Sequence, residues 1–207
     1  YDLYQSGKTT EALYAVESWY SWHSRDDYTN NIYSIRNSYY GSLDGNPAEN
    51  SLYNLISTKN ADLHNEVVSA ISGAAQAIQA IPQPFRNNIN STESGKAMDA
   101  CAALEATLVK LESYIQDEAS INSDEVLDPI VTNYVDVVVL PTYKALQEKA
   151  TVLQSAVTAL NNDRTSANFS KACNAWLEAR EPWESSEAFL FGPVDELGLD
   201  PNMDSWP

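Results

Sequence analysis

The chain has 207 residues, with 12 Lys or Arg against 29 Asp or Glu, so its net charge at neutral pH is −17. Its hydrophobic share of 43% is that of a globular protein and excludes a disordered chain. The acidic balance disfavours nucleic acid or an anionic membrane as a partner, because neutralising phosphates takes clustered basic side chains. The sequence predicts no transmembrane segment, and a leader or lipid anchor removed ahead of Tyr1 remains an open alternative.

The first predicted helix begins near Thr10 and ends near His23. Its apolar positions share one helical face and are Leu13, Val16 and Tyr20. A second helix follows, because apolar residues recur at steps of four, three and four before Gly41 ends it. Those residues are Tyr28, Ile32, Ile35 and Tyr39.

The second helix also carries an unusual set of polar residues. Asn and Ser are mediocre in helix interiors, so a cluster of them indicates side chains that form specific hydrogen bonds. The ligand-binding candidates on this face are Asn31, Ser34 and Arg36. A solvated polar face is the alternative.

The middle of the chain predicts an antiparallel helical hairpin. Asn60 can cap a helix that ends before Pro82, and Thr92 can cap the next one. Apolar residues at steps of three and four form the inner faces of both helices, as in bundle cores. His64 lies beside the first of these stripes and is predicted to be on the surface.

The acidic stretch from Asp117 to Asp128 is poor in apolar residues and predicts a linker between segments 1–120 and 121–207. Beyond it, the periodicity predicts one long helix with a kink at Pro141. A strand at residues 135–140 fits the β-branched run locally, but the flanking pattern is helical. The last predicted helix begins after Ser166 and extends to a stop at Gly192, followed by an irregular tail.

The last helix has charged residues on the face that it is predicted to bury. Phe169, Cys173, Trp176 and Trp183 form an apolar stripe, which charged residues then continue. Charge on a buried face is unfavourable unless it pairs with an opposite charge or takes part in a functional site. This segment is therefore the leading site candidate. The candidates for a ligand-binding cleft here are Arg180, Trp183, Glu184 and Glu187, with Asp204 and Trp206 from the tail.

Two interpretations of this charged face stay open. Glu184 and Glu187 point in similar directions and can ligate iron or another hard cation, with Arg180 orienting an acid or an anionic ligand. Alternatively, Arg180 pairs with Glu184 and neutralises a half-buried helix face, which the absence of a histidine partner favours.

Other kinds of site find little support in the sequence. It has two histidines, which form no His-Glu-x-x-His motif, and it has no glycine-rich phosphate loop. Nothing beside any Ser or Cys marks a nucleophile. Cys101 and Cys173 both lie on predicted apolar stripes, so two buried thiols or one disulfide are equally compatible with the pattern.

Several long strings of the chain resemble the imelysin-like family, which includes insulin-cleaving membrane protease relatives and iron-regulated cell-envelope proteins. They are YVDVVVLPTYKAL, ACNAWLEAREPWESSEAFLFGPVDELGLDPNMDSWP, SWHSRDDYTNNIYSIRNSYYGSLDG and IPQPFRNNI, the last two in the form of Bacteroidetes-type members. The resemblance implies an all-α fold of two helical bundles. It also implies export to the periplasm or cell surface of a Gram-negative bacterium, often as an outer-membrane lipoprotein, and a link to iron or haem acquisition.

The chain departs from the family pattern in two ways. The signature Gly-x-His-x-x-Glu motif, on which the family's peptidase label rests, is absent. Segment 1–120 resembles the family's C-terminal half and segment 121–207 its N-terminal half, so the order is reversed. A circular permutation, a cleavage product and a missing intervening stretch all remain open.

Three functions follow as hypotheses. The first is a non-enzymatic binding component in iron or haem uptake, with the polar face of residues 30–40 and the face of Arg180, Glu184 and Glu187 lining one cleft. The second is a metallopeptidase of the imelysin type, which the missing motif disfavours. The third is an interaction bundle that binds an envelope protein through exposed aromatic residues.

Overall fold

The computed structural model describes residues 1–203, which form helices and no strand, so the predicted all-α class is confirmed. Its α-helices are α1 (Asp2–Gln5), α2 (Thr9–Tyr14), α3 (Ser24–Tyr40), α4 (Leu52–Lys59), α5 (Ala61–Gln79), α6 (Thr92–Asp117), α7 (Asp124–Asn133), α8 (Leu140–Asn162), α9 (Ser166–Glu184), α10 (Pro193–Glu196) and α11 (Leu199–Met203). Single 3₁₀ turns lie at Phe85–Asn87 and Glu187–Phe189, and a π-helical segment lies at Tyr134–Val139.

Two antiparallel hairpins, α5 with α6 and α8 with α9, lie on either side of α3. The main hydrophobic core lies where α3 and α4 pack onto the first hairpin, around the fully buried Ile56 and Val67. Helix α3 also contacts α9 and the turn at Glu187–Phe189. The polar face of α3 therefore meets the C-terminal end of α9. The predicted division at residue 120 stays a prediction.

Side-chain caps fix the start of four helices. Ser51 and Asn60 accept backbone N–H groups at the starts of α4 and α5, the latter as predicted. The caps of α6 and α9 are Ser91 and Thr165, one residue before those predicted. The predicted linker is also shorter than expected, because α7 begins at Asp124.

The predicted long helix around Pro141 is continuous, and a π-helical segment precedes the proline. Proline has no N–H, so it cannot bond the carbonyl oxygen of Val137 in the α-helical pattern. The N–H of Leu140 bonds the carbonyl oxygen of Val135, five residues earlier, which is the π-helical spacing. The alternative strand at residues 135–140 is wrong.

The first predicted helix is shorter than expected, because α2 ends at Tyr14. Residues 15–23 form an irregular loop in which Ser18 and Trp22 have positive φ, at 53° and 67°. Arg86 holds this loop: its guanidinium donates to the carbonyl oxygen of Trp19 at 2.8 Å and lies over the Trp19 and Trp22 rings. Tyr20, predicted to share the apolar face of the first helix with Leu13 and Val16, is 74% exposed.

The buried face of α9 matches the predicted one only near its C-terminal end, where Glu184 is buried. Phe169 is 60% exposed and Cys173 is exposed, whereas Ala172, Ala175 and Ala179 are buried. Small side chains allow α8 and α9 to approach closely, which leaves the larger residues outside. The helix also ends at Glu184 rather than near Gly192, and the Ser186 hydroxyl donates to the Trp183 carbonyl oxygen at 2.6 Å beyond its end.

The prediction that His64 lies on the surface is wrong. Its side chain is buried, with Nδ1 3.1 Å from the Tyr39 hydroxyl and the ring packed edge-on against Tyr53. Helices α3 and α4 cover both flanks of α5, which widens its buried face beyond one stripe. Burial lowers the pKa of His64, which favours the neutral ring.

The two cysteines are free thiols, so the disulfide alternative is wrong, and the alternative of two buried thiols fails for Cys173, which is exposed. Cys101 is half-buried, and burial raises its pKa.

Among residues 1–203, no helix combines the length and the hydropathy needed to cross a bilayer.

Gly41 ends α3 in a left-handed conformation with φ of 66°. An added Cβ would lie 2.6 Å from Nδ2 of Asn133, which donates to the Gly41 carbonyl oxygen. We expect Gly41→Ala to destabilise the fold by about 1–3 kcal/mol in urea unfolding. Gly73→Ala is the matched control, because its Cβ meets nothing within 4 Å, and we expect it to stabilise α5 by about 0.5–1 kcal/mol. Equal effects of the two variants would contradict this role of Gly41.

Candidate functional site

Arg180 lies at the centre of a buried charged cluster where α9, α3 and the loop at residues 15–23 meet. Its Nη2 donates to Glu17 Oε1 and to Ser18 Oγ, each at 3.2 Å, and pairs closely with Glu184 Oε1. Its Nε lies 3.7 Å from Asp27 Oδ2. We call these five residues, Glu17, Ser18, Asp27, Arg180 and Glu184, the buried network.

The buried network has more acid than base. Glu184 and Asp27 have side chains only 1% and 5% exposed, and both face the single guanidinium of Arg180. Burial raises the pKa of Glu184 to about 8, against the lowering effect of Arg180, and Asp27, Glu17 and Glu187 raise it further. Burial also raises the pKa of Asp27, which Ser18 and Arg180 partly offset. Glu184 is therefore mostly protonated at pH 7.

Backbone strain lies next to these charges. Ser18, with its positive φ, is held by a hydrogen bond from its hydroxyl to Asp27 Oδ2 and by the contact with Arg180. A non-glycine residue in this conformation persists only where its surroundings hold it, and such residues cluster at functional sites.

Two of the predicted α3 residues meet α9 and its extension. With its amide nitrogen turned towards α9, Asn31 donates to Glu184 Oε2 at 2.7 Å and to the Asp27 carbonyl oxygen at 2.9 Å. Ser34 is fully buried and its hydroxyl accepts the backbone N–H of Ala188 at 3.0 Å. The polar face of α3 is thus an interior contact, not a solvated face.

The remaining predicted residues are distributed differently. Glu187 and Trp183 are half-buried, and Glu187 lies close enough to affect Glu184. Arg36 is not part of the buried network, because its guanidinium lies 4.3 Å from the Tyr33 ring and donates to Asn37 Oδ1 at 2.9 Å, both in its own helix. Asp204 and Trp206 lie outside the described residues. The role of all these residues in ligand binding stays a prediction.

Sequence reasoning missed Asp27, Glu17 and Ser18. Asp27 had a usable signal, because it precedes Asn31 by four residues and so shares its helical face. Glu17 and Ser18 lie in an irregular loop without periodicity, and only tertiary contacts bring them to Arg180.

The buried network is suited to a ligand that carries a carboxylate. Arginine binds carboxylates through paired N–H groups, and a protonated Glu184 can donate a hydrogen bond of its own. A bare cation fits less well, because Arg180 already places a positive charge among the acids. Within residues 1–203, no group of three or more His, Cys, Asp or Glu side chains is placed to hold a metal ion. Metal ligation by Glu184 and Glu187 stays a prediction.

Comparisons with known proteins agree on one family. The family model described as Imelysin, peptidase M75, matches residues 4–111 and 139–207. The chain is similar to iron-regulated protein A of Synechococcus elongatus, with 42% identity over 77 residues, which are 37% of this chain and 22% of that protein. It is also similar to a crystal structure of an imelysin peptidase from Bacteroides ovatus, with 63% identity and a TM-score of 0.97. That match covers all of this chain and 59% of the solved one.

Proposed function

Because the chain belongs to the imelysin family, we propose that it is a cell-envelope binding component for iron or haem uptake, in the periplasm or on the outer membrane. The buried network is the observation that carries the proposal. Burying Asp27 and Glu184 beside one guanidinium destabilises the fold relative to an apolar contact, so the arrangement indicates a site selected for binding. The iron-regulated relative supports the iron link.

The chemistry of the buried network favours a carboxylate-bearing form of the cargo. Haem carries propionates and ferric citrate carries carboxylates, and either can pair with Arg180. The proton on Glu184 reduces the repulsion that such a ligand meets. When Glu184 ionises, its charge competes for the same guanidinium. We therefore expect affinity to fall as the pH rises through about 8, the pKa of Glu184.

Calorimetric titration of the complete protein with haemin and with ferric citrate, at pH 7 and pH 9, tests the proposal. We expect saturable binding of at least one ligand, weaker by about tenfold at pH 9. Glu184→Gln keeps the uncharged form and is expected to bind equally at both pH values. Glu49→Gln, on an exposed loop, is the matched control and should behave as the unchanged protein. Saturation by neither ligand would overturn the proposal, as would pH-independent binding by the unchanged protein.

A second candidate is a metallopeptidase, which the similar imelysin peptidase of Bacteroides ovatus favours. Assaying the complete protein against casein, with and without a chelator, separates the two functions. Chelator-sensitive cleavage would establish the peptidase, whereas a binding component would leave casein intact.

A further inference from the structure

A cavity of about 370 Å³ lies between the N-terminal residues and α3, α5 and α6, and none of the five residues of the buried network is among its described lining residues. One wall is formed by α3, α5, α6 and the loop between the hairpin helices, through residues such as Ile32, Ile78, Phe85 and Ala97. The opposite wall is formed by residues 1–16, which we call the cover segment, through Leu3, Ala12 and Val16. The cavity volume is within the range of about 300–1,000 Å³ that is usual for small-molecule pockets.

The cavity is almost entirely apolar. None of its described lining residues has a charged side chain. Two of its polar lining groups have protein partners: the Ser94 hydroxyl donates to the Asn88 carbonyl oxygen at 2.7 Å, and the Tyr28 hydroxyl accepts the Glu17 N–H at 3.1 Å. Asn31 directs its amide nitrogen to Glu184. An occupant therefore meets carbon atoms over most of its surface, and a charge on it would find no counter-charge.

The two walls differ in how they are held. The inner wall belongs to long, capped helices of the main core. The cover segment consists of the two short helices α1 and α2 and is followed by the loop that Arg86 and Arg180 hold. Segments with few packed contacts open at lower free energy than core helices, so this wall is the one through which a small molecule can pass.

We infer that this cavity binds an uncharged, largely hydrocarbon molecule, of the size of a fused aromatic ring pair, between the cover segment and helices α3, α5 and α6. The inference is independent of iron or haem uptake. Contact with such a molecule supplies van der Waals partners to apolar walls on both sides and removes the molecule's apolar surface from water. A bare ion or a sugar gains neither.

Fluorescence titration of the complete protein with the neutral probe N-phenyl-1-naphthylamine tests the inference. We expect saturable binding with one site per chain. Ala97→Leu adds a side chain to the inner wall and is expected to weaken probe binding by about tenfold or more. Ala12→Leu adds a side chain from the cover segment and is expected to weaken probe binding in the same way. If one of the two variants fails to fold, the other still tests the inference. Ala106→Leu, on the exposed face of α6, is the matched control and should bind like the unchanged protein.

The outcomes separate this inference from the function proposed above. Probe binding that Ala97→Leu and Ala12→Leu weaken supports the cavity site, whether or not haemin binds. Absence of saturable binding overturns it, as does an equal loss with Ala106→Leu. Haemin binding that neither cavity variant changes, together with no probe binding, would support the uptake function while overturning the cavity site.

Discussion

Replacing Arg180 with alanine is expected to destabilise the protein by about 3–5 kcal/mol, because removing one partner of a buried ion pair leaves uncompensated charge. Its side chain is 12% exposed and is the cation shared by Glu17, Asp27 and Glu184. Without it, Asp27 and Glu17 lose the guanidinium that they share, in a medium that screens charge poorly, whereas Glu184 is mostly protonated at pH 7 and contributes less to the loss. Urea unfolding at pH 7, with the midpoint and slope fitted together, measures the loss.

Arg164→Ala is the matched control for this prediction. Arg164 is exposed near the tip of the α8–α9 hairpin, so its removal is expected to change stability by less than about 0.5 kcal/mol. Arg180→Lys retains the charge but not the geometry that reaches several acceptors at once, and an intermediate loss is expected. If Arg180→Ala were as stable as Arg164→Ala, the buried network would not be a structural unit.

Much of the fold could be predicted from the sequence because local signals agree with the tertiary structure. The apolar residues of α5 and α6 keep helical spacing, and Asn60 and Gly41 are at the positions where caps are needed. His64 and Phe169 were misplaced because a helical stripe does not specify how many neighbours cover a helix. That property depends on α3, α4 and α8.

The candidate site was predictable only in part. Arg180 and Glu184 were found because charge on a helix face conflicts with burial, and Asn31 because Asn is unusual in a helix interior. Which acids surround Arg180 could not be deduced, because Asp27 and Glu17 are more than 150 residues away along the chain. The positive φ of Ser18 has no sequence signature either, since serine rarely adopts it.

The stability of the protein is expected to fall as the pH rises from about 5 to 8, and Glu184→Gln is expected to remove most of this dependence. Burial raises the pKa of Glu184 from its ordinary value of 4.5 to about 8 in the folded protein. Between these values the folded state holds a proton that the unfolded state has released. Folding is therefore favoured at low pH. The stabilisation from the Glu184 carboxyl is complete at pH values below its pKa in the unfolded chain, and it is lost as the pH rises through its pKa in the folded protein.

The slope from this one carboxyl is on the order of 1 kcal/mol per pH unit. Asp27 adds to it in the same direction at lower pH, because burial raises its pKa as well. Arg180, Asp27, Glu17 and Glu187 are the charged groups that act on Glu184, and Arg180 alone opposes the rise. The glutamine variant resembles the protonated carboxyl in shape. We therefore expect stability equal to the unchanged protein near pH 5 and greater by a few kcal/mol at pH 9.

Urea unfolding of both proteins at pH values from 5 to 9 measures these slopes. Glu49→Gln is the matched control and should keep the slope of the unchanged protein, because its side chain is exposed. A Glu184→Gln variant that loses stability equally at every pH would show that the carboxyl is ionised in the folded state. In that case Glu184 serves as a permanent partner of Arg180, and the pH-dependent ligand binding expected at the buried network would fail with it. A flat profile for Glu184→Gln instead shows that a single proton, held on Glu184 beside a guanidinium by burial, links folding to pH at this site.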